Sequence, residues 1–170
     1  MNGDGECLIE YTEDSRRIPF SKRQFELLMA DLKLDVPSIV FDVDYMEFIQ
    51  RFNGGIPKKC CFNDSRGHGR MVEYFMYFSD LPRDAGLRDV HVTVAHTQAS
   101  DSEAFRPDLI PFAELFAGDM LCFDHSVNPQ QPSIVIWLHE ESEIDAPAVE
   151  HIANSFREFC EMLYEPDESD

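Results

Sequence analysis

Basic residues all but vanish from the second part of this chain: between Pro107 and Asp170 the one lysine or arginine is Arg157. Against it stand 15 Asp and Glu, a net charge of −14, whereas residues 1–106 hold 13 basic and 18 acidic residues, a net of −5. A surface of that sign repels nucleic-acid phosphates and anionic membranes and draws in basic partners at raised rates. DNA, RNA and membranes are therefore disfavoured as partners. Composition leaves open whether the face is merely solvated or docks a basic protein. The chain also lacks any apolar run near the 18 residues that cross a bilayer, and Met1-Asn2-Gly3-Asp4-Gly5-Glu6 lacks the basic opening of a secretory leader. A soluble, cytoplasmic protein is expected.

Cysteines are few and poorly spaced for structural chemistry. The five (Cys7, Cys60, Cys61, Cys122 and Cys160) are odd in number, include one adjacent pair and show no Cys-x-x-Cys, so reduced thiols are expected rather than a disulfide framework or zinc site. There is no Gly-x-Ser-x-Gly elbow and no glycine-rich phosphate loop. His91 and His96 would lie on opposite faces of a strand, and His139-Glu140-Glu141-Ser142-Glu143 has Glu143 where a zinc-protease helix has its second histidine. No metal, cofactor or catalytic residue is expected.

What is present suits one domain over residues 1–170 with a short acidic C-terminal tail, since 170 residues at 44% hydrophobic content can fill a single core. Ser21 with Gln24 three residues on has the form of a capping box, and Phe20 and Phe25 that of a hydrophobic staple. Phe25, Leu28, Met29 and Leu32 then repeat at helical spacing, predicting a first helix that ends near Lys33. A second helix carries Tyr45, Phe48, Ile49 and Phe52, with Asp42 or Asp44 at its start and Asn53-Gly54 as its left-handed C-cap. Strands are expected on both sides of the Asn63–Gly69 loop, the second being Met71–Phe78, and again at Val90–Val94, with loop or at most a short helix from there to Arg106. Met120–Phe123 and Ile134–Leu138 read as antiparallel neighbours joined around Asn128-Pro129. A long helix is predicted from about Pro147 to Tyr164, with Val149, Ile152, Ala153, Phe156, Phe159, Cys160 and Leu163 on one face, before a frayed Glu165–Asp170. Helices at both ends around a run of strands define an α+β chain.

One enzymatic pattern competes. Ile39-Val40-Phe41-Asp42-Val43-Asp44 resembles the strand of haloacid-dehalogenase-type phosphatases, with Asp42 as nucleophile, Gly118-Asp119 and Asp124 as a magnesium-binding end, and Lys58 or Lys59 as the neutralising lysine. Against it, Met46 occupies the place of that family's threonine or valine, and the following apolar period makes Asp42 the opening of a helix.

A second resemblance spans most of the chain. Phe48-Ile49-Gln50-Arg51-Phe52-Asn53-Gly54-Gly55, then Ile110-Pro111-Phe112-Ala113, Gly118-Asp119, Asp124, Ile134–Leu138 with Trp137, and Ile152-Ala153-Asn154-Ser155-Phe156-Arg157-Glu158-Phe159 are together similar to the SMI1/KNR4 (SUKH) family. Cys160 departs from that family's leucine, and Phe62–Phe105 carries no alignable motif. The resemblance implies an α+β fold with a single antiparallel or mixed sheet, and a protein-binding domain of the immunity type that neutralises a basic toxin domain, often a nuclease. A regulatory or scaffold domain with another protein partner is the alternative. Asp119, Asp124, Glu140, Glu141, Glu143 and Asp145 are the expected partner-binding face. Oligomeric state stays open.

Overall fold

Four helices and one six-stranded sheet build the fold in a computed structural model that describes residues 9–13, 15, 17–80 and 91–166. In chain order these are α1 Lys22–Asp35, α2 Val43–Phe52, β1 Cys61–Asn63, β2 Gly69–Phe75, α3 Val92–Ser100, β3 Leu109–Leu115, β4 Met120–Asp124, β5 Ser133–Trp137, β6 Val149–Ala153 and α4 Phe156–Met162. The sheet follows sequence order, β1-β2-β3-β4-β5-β6, and every named pair is antiparallel. It curls: Ser65, in the hairpin joining β1 and β2, donates its backbone N–H to Glu150 on the opposite edge strand at 2.8 Å.

The helix starts follow local signals. Ser21 Oγ accepts from Gln24 N–H at 3.2 Å, and the Phe20 and Phe25 rings sit 6.0 Å apart as the staple requires. Asp42 Oδ1 accepts from the Asp44 and Tyr45 amides at 2.9 and 3.2 Å, capping α2. Asn53 ends that helix in the left-handed region, φ 50°.

Two expected elements are replaced. The Val90–Val94 strand is not formed: Val90 lies outside the described residues, and Val92 begins α3. Val92, Ala95, His96 and Ala99 are its buried face, spaced i, i+3, i+4 and i+7. The alternating valines masked that period. Likewise the Pro147–Tyr164 helix is two elements. Residues 149–153 pair with β5, Trp137 opposite Val149 and Ile134 opposite Ala153. The chain turns at Asn154-Ser155, where Ser155 Oγ accepts from Glu158 N–H at 3.1 Å while Glu158 accepts from Asn154 N–H at 2.8 Å, and α4 starts only there. The Ile-Pro-Phe-Ala segment is an inner strand, β3. Its register slips between Pro111 and Ala113, and this irregularity lets a proline without an N–H sit inside the sheet.

Both faces of the sheet are covered. Leu121 and Phe123 of β4 enter the main core with Tyr45, Phe48, Phe75, Phe112 and Phe156, while Cys122 between them enters a smaller cluster with Ala99, Phe105, Leu109, Val135 and Trp137 on the α3 side. Tyr45 sits at the centre of the main core with no exposed surface, and its hydroxyl has no hydrogen-bond partner among the described residues. An unpaired buried hydroxyl costs about 1–3 kcal/mol. Tyr45→Phe is therefore expected to raise the urea midpoint, by up to about 1 kcal/mol in stability. A loss of more than that would mean the hydroxyl is bonded in the native protein.

Candidate partner-binding face

The β3–β4 turn and the loop after β5 lie at the same end of the sheet, because Met120 at the start of β4 pairs with Trp137 at the end of β5. The turn is tight. Ala117 and Gly118 adopt φ values of 77° and 91°, and Leu115 N–H donates to Asp119 O at 2.8 Å across it. This delivers the Asp119 carboxylate toward the neighbouring loop.

Asp119 is a clamp. One oxygen accepts from the His139 amide at 3.1 Å and lies 2.9 Å from His139 Nδ1, and the other pairs with Arg70 from β2. Partial burial pushes this carboxyl up, but hydrogen bonds from His139 and Arg70 outweigh it and hold its pKa below the ordinary carboxylate value. The loop that follows is held by its own backbone. Glu143 and Ala146 exchange two N–H···O bonds of 3.1 and 3.0 Å, Ser142 Oγ ties Leu138 O to the Ala148 amide, and Asp145, at φ 56°, donates its N–H to Glu103 O at 2.9 Å.

On this fixed frame Glu140, Glu141, Glu143 and Asp145 all project as exposed side chains. Glu140 approaches His139 at 3.9 Å, and the other three make no ion pair among the described residues. Ile144, between two of these acids, is 69% exposed. Beside it, Ser102, Glu103, Ala104 and Ser142–Ile144 line an open depression of about 580 Å³.

Of the six residues expected to form a partner face, five are at this end, and Asp119 there anchors His139, the residue from which the loop with the other four departs. Asp124 is not with them. It ends β4, about 13 Å along the strand from its start, where Arg106 pairs with it at 3.0 Å and the Ser126 amide donates to it at 2.9 Å. Its charge is neutralised locally. Conversely, Glu103 and Ile144 share the exposed end, and the sequence reading does not include them. Glu103 falls on the near side of Pro107, where the net charge is small, and nothing in the sequence joins it to residues 142–145.

The phosphatase-like set is scattered. Both Asp42 oxygens are occupied by backbone N–H groups, Oδ1 at the α2 start and Oδ2 by Phe156 N–H of α4 at 3.1 Å, and Lys58 pairs with Glu10 at 3.4 Å. Asp119 and Asp124 stand at opposite ends of β4. Among the described residues no three His, Cys, Asp or Glu are grouped to hold a metal ion, and no helix is long and apolar enough to cross a membrane.

The architecture is that of an α+β chain with a curled antiparallel sheet and, at one end, an acidic loop held by backbone hydrogen bonds. The sequence profile of the SMI1 / KNR4 family (SUKH-1) matches residues 30–162, 133 of the 170, and the chain belongs to that family. It is also similar to the SPbeta prophage-derived uncharacterized protein YokK of Bacillus subtilis (strain 168), 26% identical over 96% of this chain and 86% of that protein.

Proposed function

We propose that this protein is a non-catalytic, protein-binding immunity protein that neutralises a cognate toxin domain, a basic nuclease, by direct contact in the cytoplasm. The observation that carries the reading is the loop of Glu140, Glu141, Glu143 and Asp145, whose acids are exposed while its backbone is pinned. A nuclease needs a basic groove for the phosphate backbone, and a rigid acidic loop fills such a groove by complementary potential with little ordering cost on binding. Asp119, locked to Arg70 and His139, acts as the support. Family membership and a prophage-derived relative support a protein partner of this kind.

The test is capture from the native cell with tagged wild-type protein and with the Glu140→Lys/Glu141→Lys/Glu143→Lys variant, at low and moderate salt, read by mass spectrometry. Wild type is expected to recover a basic toxin domain, and the variant to recover less of it and with less salt dependence, because loss of steering slows association by about 10- to 1,000-fold. Unchanged capture by the variant means the face is wrong. Recovery of regulatory proteins in place of a toxin means the domain is a scaffold.

A further inference from the structure

Cys60 and Cys61 bring their sulfurs to 3.9 Å of one another at the outer edge of the sheet, both half-buried and both unbridged. Adjacent side chains along a strand point to opposite faces, so this convergence is a local departure where the chain enters β1. The peptide that joins the two cysteines is held at both of its polar atoms. Its C=O accepts from Val72 N–H at 2.7 Å, and its N–H donates to Tyr164 O at 3.0 Å. Cys61 is held further by the returning bond from Tyr164 N–H at 2.8 Å.

We propose that Cys60 and Cys61 form a vicinal-dithiol site that captures one thiophilic centre, a monosubstituted trivalent arsenical, between their two sulfurs. The spacing suits one bridging atom bonded to each sulfur at about 2.3 Å, the length of a metal–thiolate bond. A disulfide fits less well. Its Cα atoms are usually about 4.4–6.8 Å apart, whereas neighbours across a trans peptide are held at about 3.8 Å. Closing one would also turn a peptide whose two bonds tie β1 to β2 and to the C-terminal segment. A zinc-type cation fits less well for another reason, because no third ligand stands with the pair among the described residues.

The chemistry balances without an oxidant. In R–As=O plus two thiols, each thiol forms an As–S bond, the two thiol protons leave with the arsenic oxygen as one water, and neither arsenic nor sulfur changes oxidation state. Burial, then the neighbouring Cys61 thiol, pushes the Cys60 pKa up to about 11. Cys60 is therefore protonated at neutral pH, and its proton leaves in the water that the condensation releases.

Phenylarsine oxide is the probe, applied to the reduced, folded full-length chain and followed by intact mass and by mapping of iodoacetamide-reactive cysteines. One phenylarsenic unit per chain is expected. It should block Cys60 and Cys61 together, survive excess 2-mercaptoethanol and be removed by 2,3-dimercaptopropanol. Cys60→Ser and Cys61→Ser should each lose the dithiol-reversible adduct. Retention of the adduct in either variant, continued alkylation of Cys60 or Cys61 in the treated wild type, or absence of an adduct on the folded protein overturns the site.

Discussion

Asn53→Asp is expected to lower the free energy of unfolding by about 3–5 kcal/mol, far more than a change of one atom at an ordinary turn. The Asn53 side chain is buried, 3% exposed, and its amide nitrogen lies 3.1, 3.0 and 2.7 Å from the carbonyl oxygens of Ile18, Pro19 and Phe78. Its oxygen accepts from Phe78 N–H at 2.8 Å. One side chain thus joins the end of α2, the segment leading into α1 and the chain beyond β2. Aspartate keeps the acceptor for Phe78 but turns a carboxylate oxygen toward three carbonyls, where the amide had donated. Asn53→Gly relaxes the left-handed φ of 50° yet strands the buried Phe78 N–H and the carbonyls, so it should cost about 1–3 kcal/mol.

The expected order of urea midpoints is wild type, then glycine, then aspartate, with m values unchanged. Burial beside carbonyls raises the folded-state pKa of the introduced carboxyl above its unfolded value, so the folded variant binds its proton more tightly than the unfolded chain does. The aspartate penalty should therefore shrink as pH falls toward and below the ordinary carboxylate value, and grow as pH rises. An aspartate variant within about 1 kcal/mol of wild type at pH 7 would show that the network contributes little.

Asn53 marks how far local reading reaches in this chain. Its left-handed cap is legible because Asn-Gly-Gly after an amphipathic helix has few other uses. Its four hydrogen bonds are not, since the partners lie 25 to 35 residues away. The same division holds at Asp42, whose capping of α2 follows from what comes next in sequence, while its acceptance of Phe156 N–H spans 114 residues. Period was the weaker guide. Val90, Val92 and Val94 alternate as a strand would, yet Val92 and Val94 stand in a helix because Val92, Ala95, His96 and Ala99 share a buried face. In the candidate face, Glu140, Glu141, Glu143 and Asp145 are visible in the sequence as four acids within six residues. That Asp119 is anchored at their end and Asp124 stands apart depends on Arg70 and Arg106, which strand order places and composition does not.

Phe156→Ala is expected to cost about 3–5 kcal/mol. The sequence places Phe156 midway along a long helix, where a phenylalanine would be one of several on an apolar face. The fold places it at the first residue of α4, directly after the Ser155 cap. From there its ring, 1% exposed, meets Tyr45, Phe48, Phe75, Phe112, Phe123 and no solvent, with centroids 5.2–6.4 Å apart. Those five rings come from α2 and from three strands, so the cavity left by alanine would be walled by elements that cannot close on it independently. Phe156→Leu retains most of the apolar volume and should lose only the ring–ring geometry, about 0.5–1.5 kcal/mol per pair beyond area burial, for the edge-on contacts that a leucine cannot reproduce. Its total cost should stay below that of alanine. Because Phe156 N–H also donates to Asp42, both variants keep the backbone link between α4 and α2, and the difference between them reads packing alone. Urea unfolding followed by circular dichroism measures both. Equal destabilisation by leucine and alanine would place the penalty in the helix start rather than in the aromatic core, and an alanine cost under about 1 kcal/mol would mean that the core closes around the missing ring.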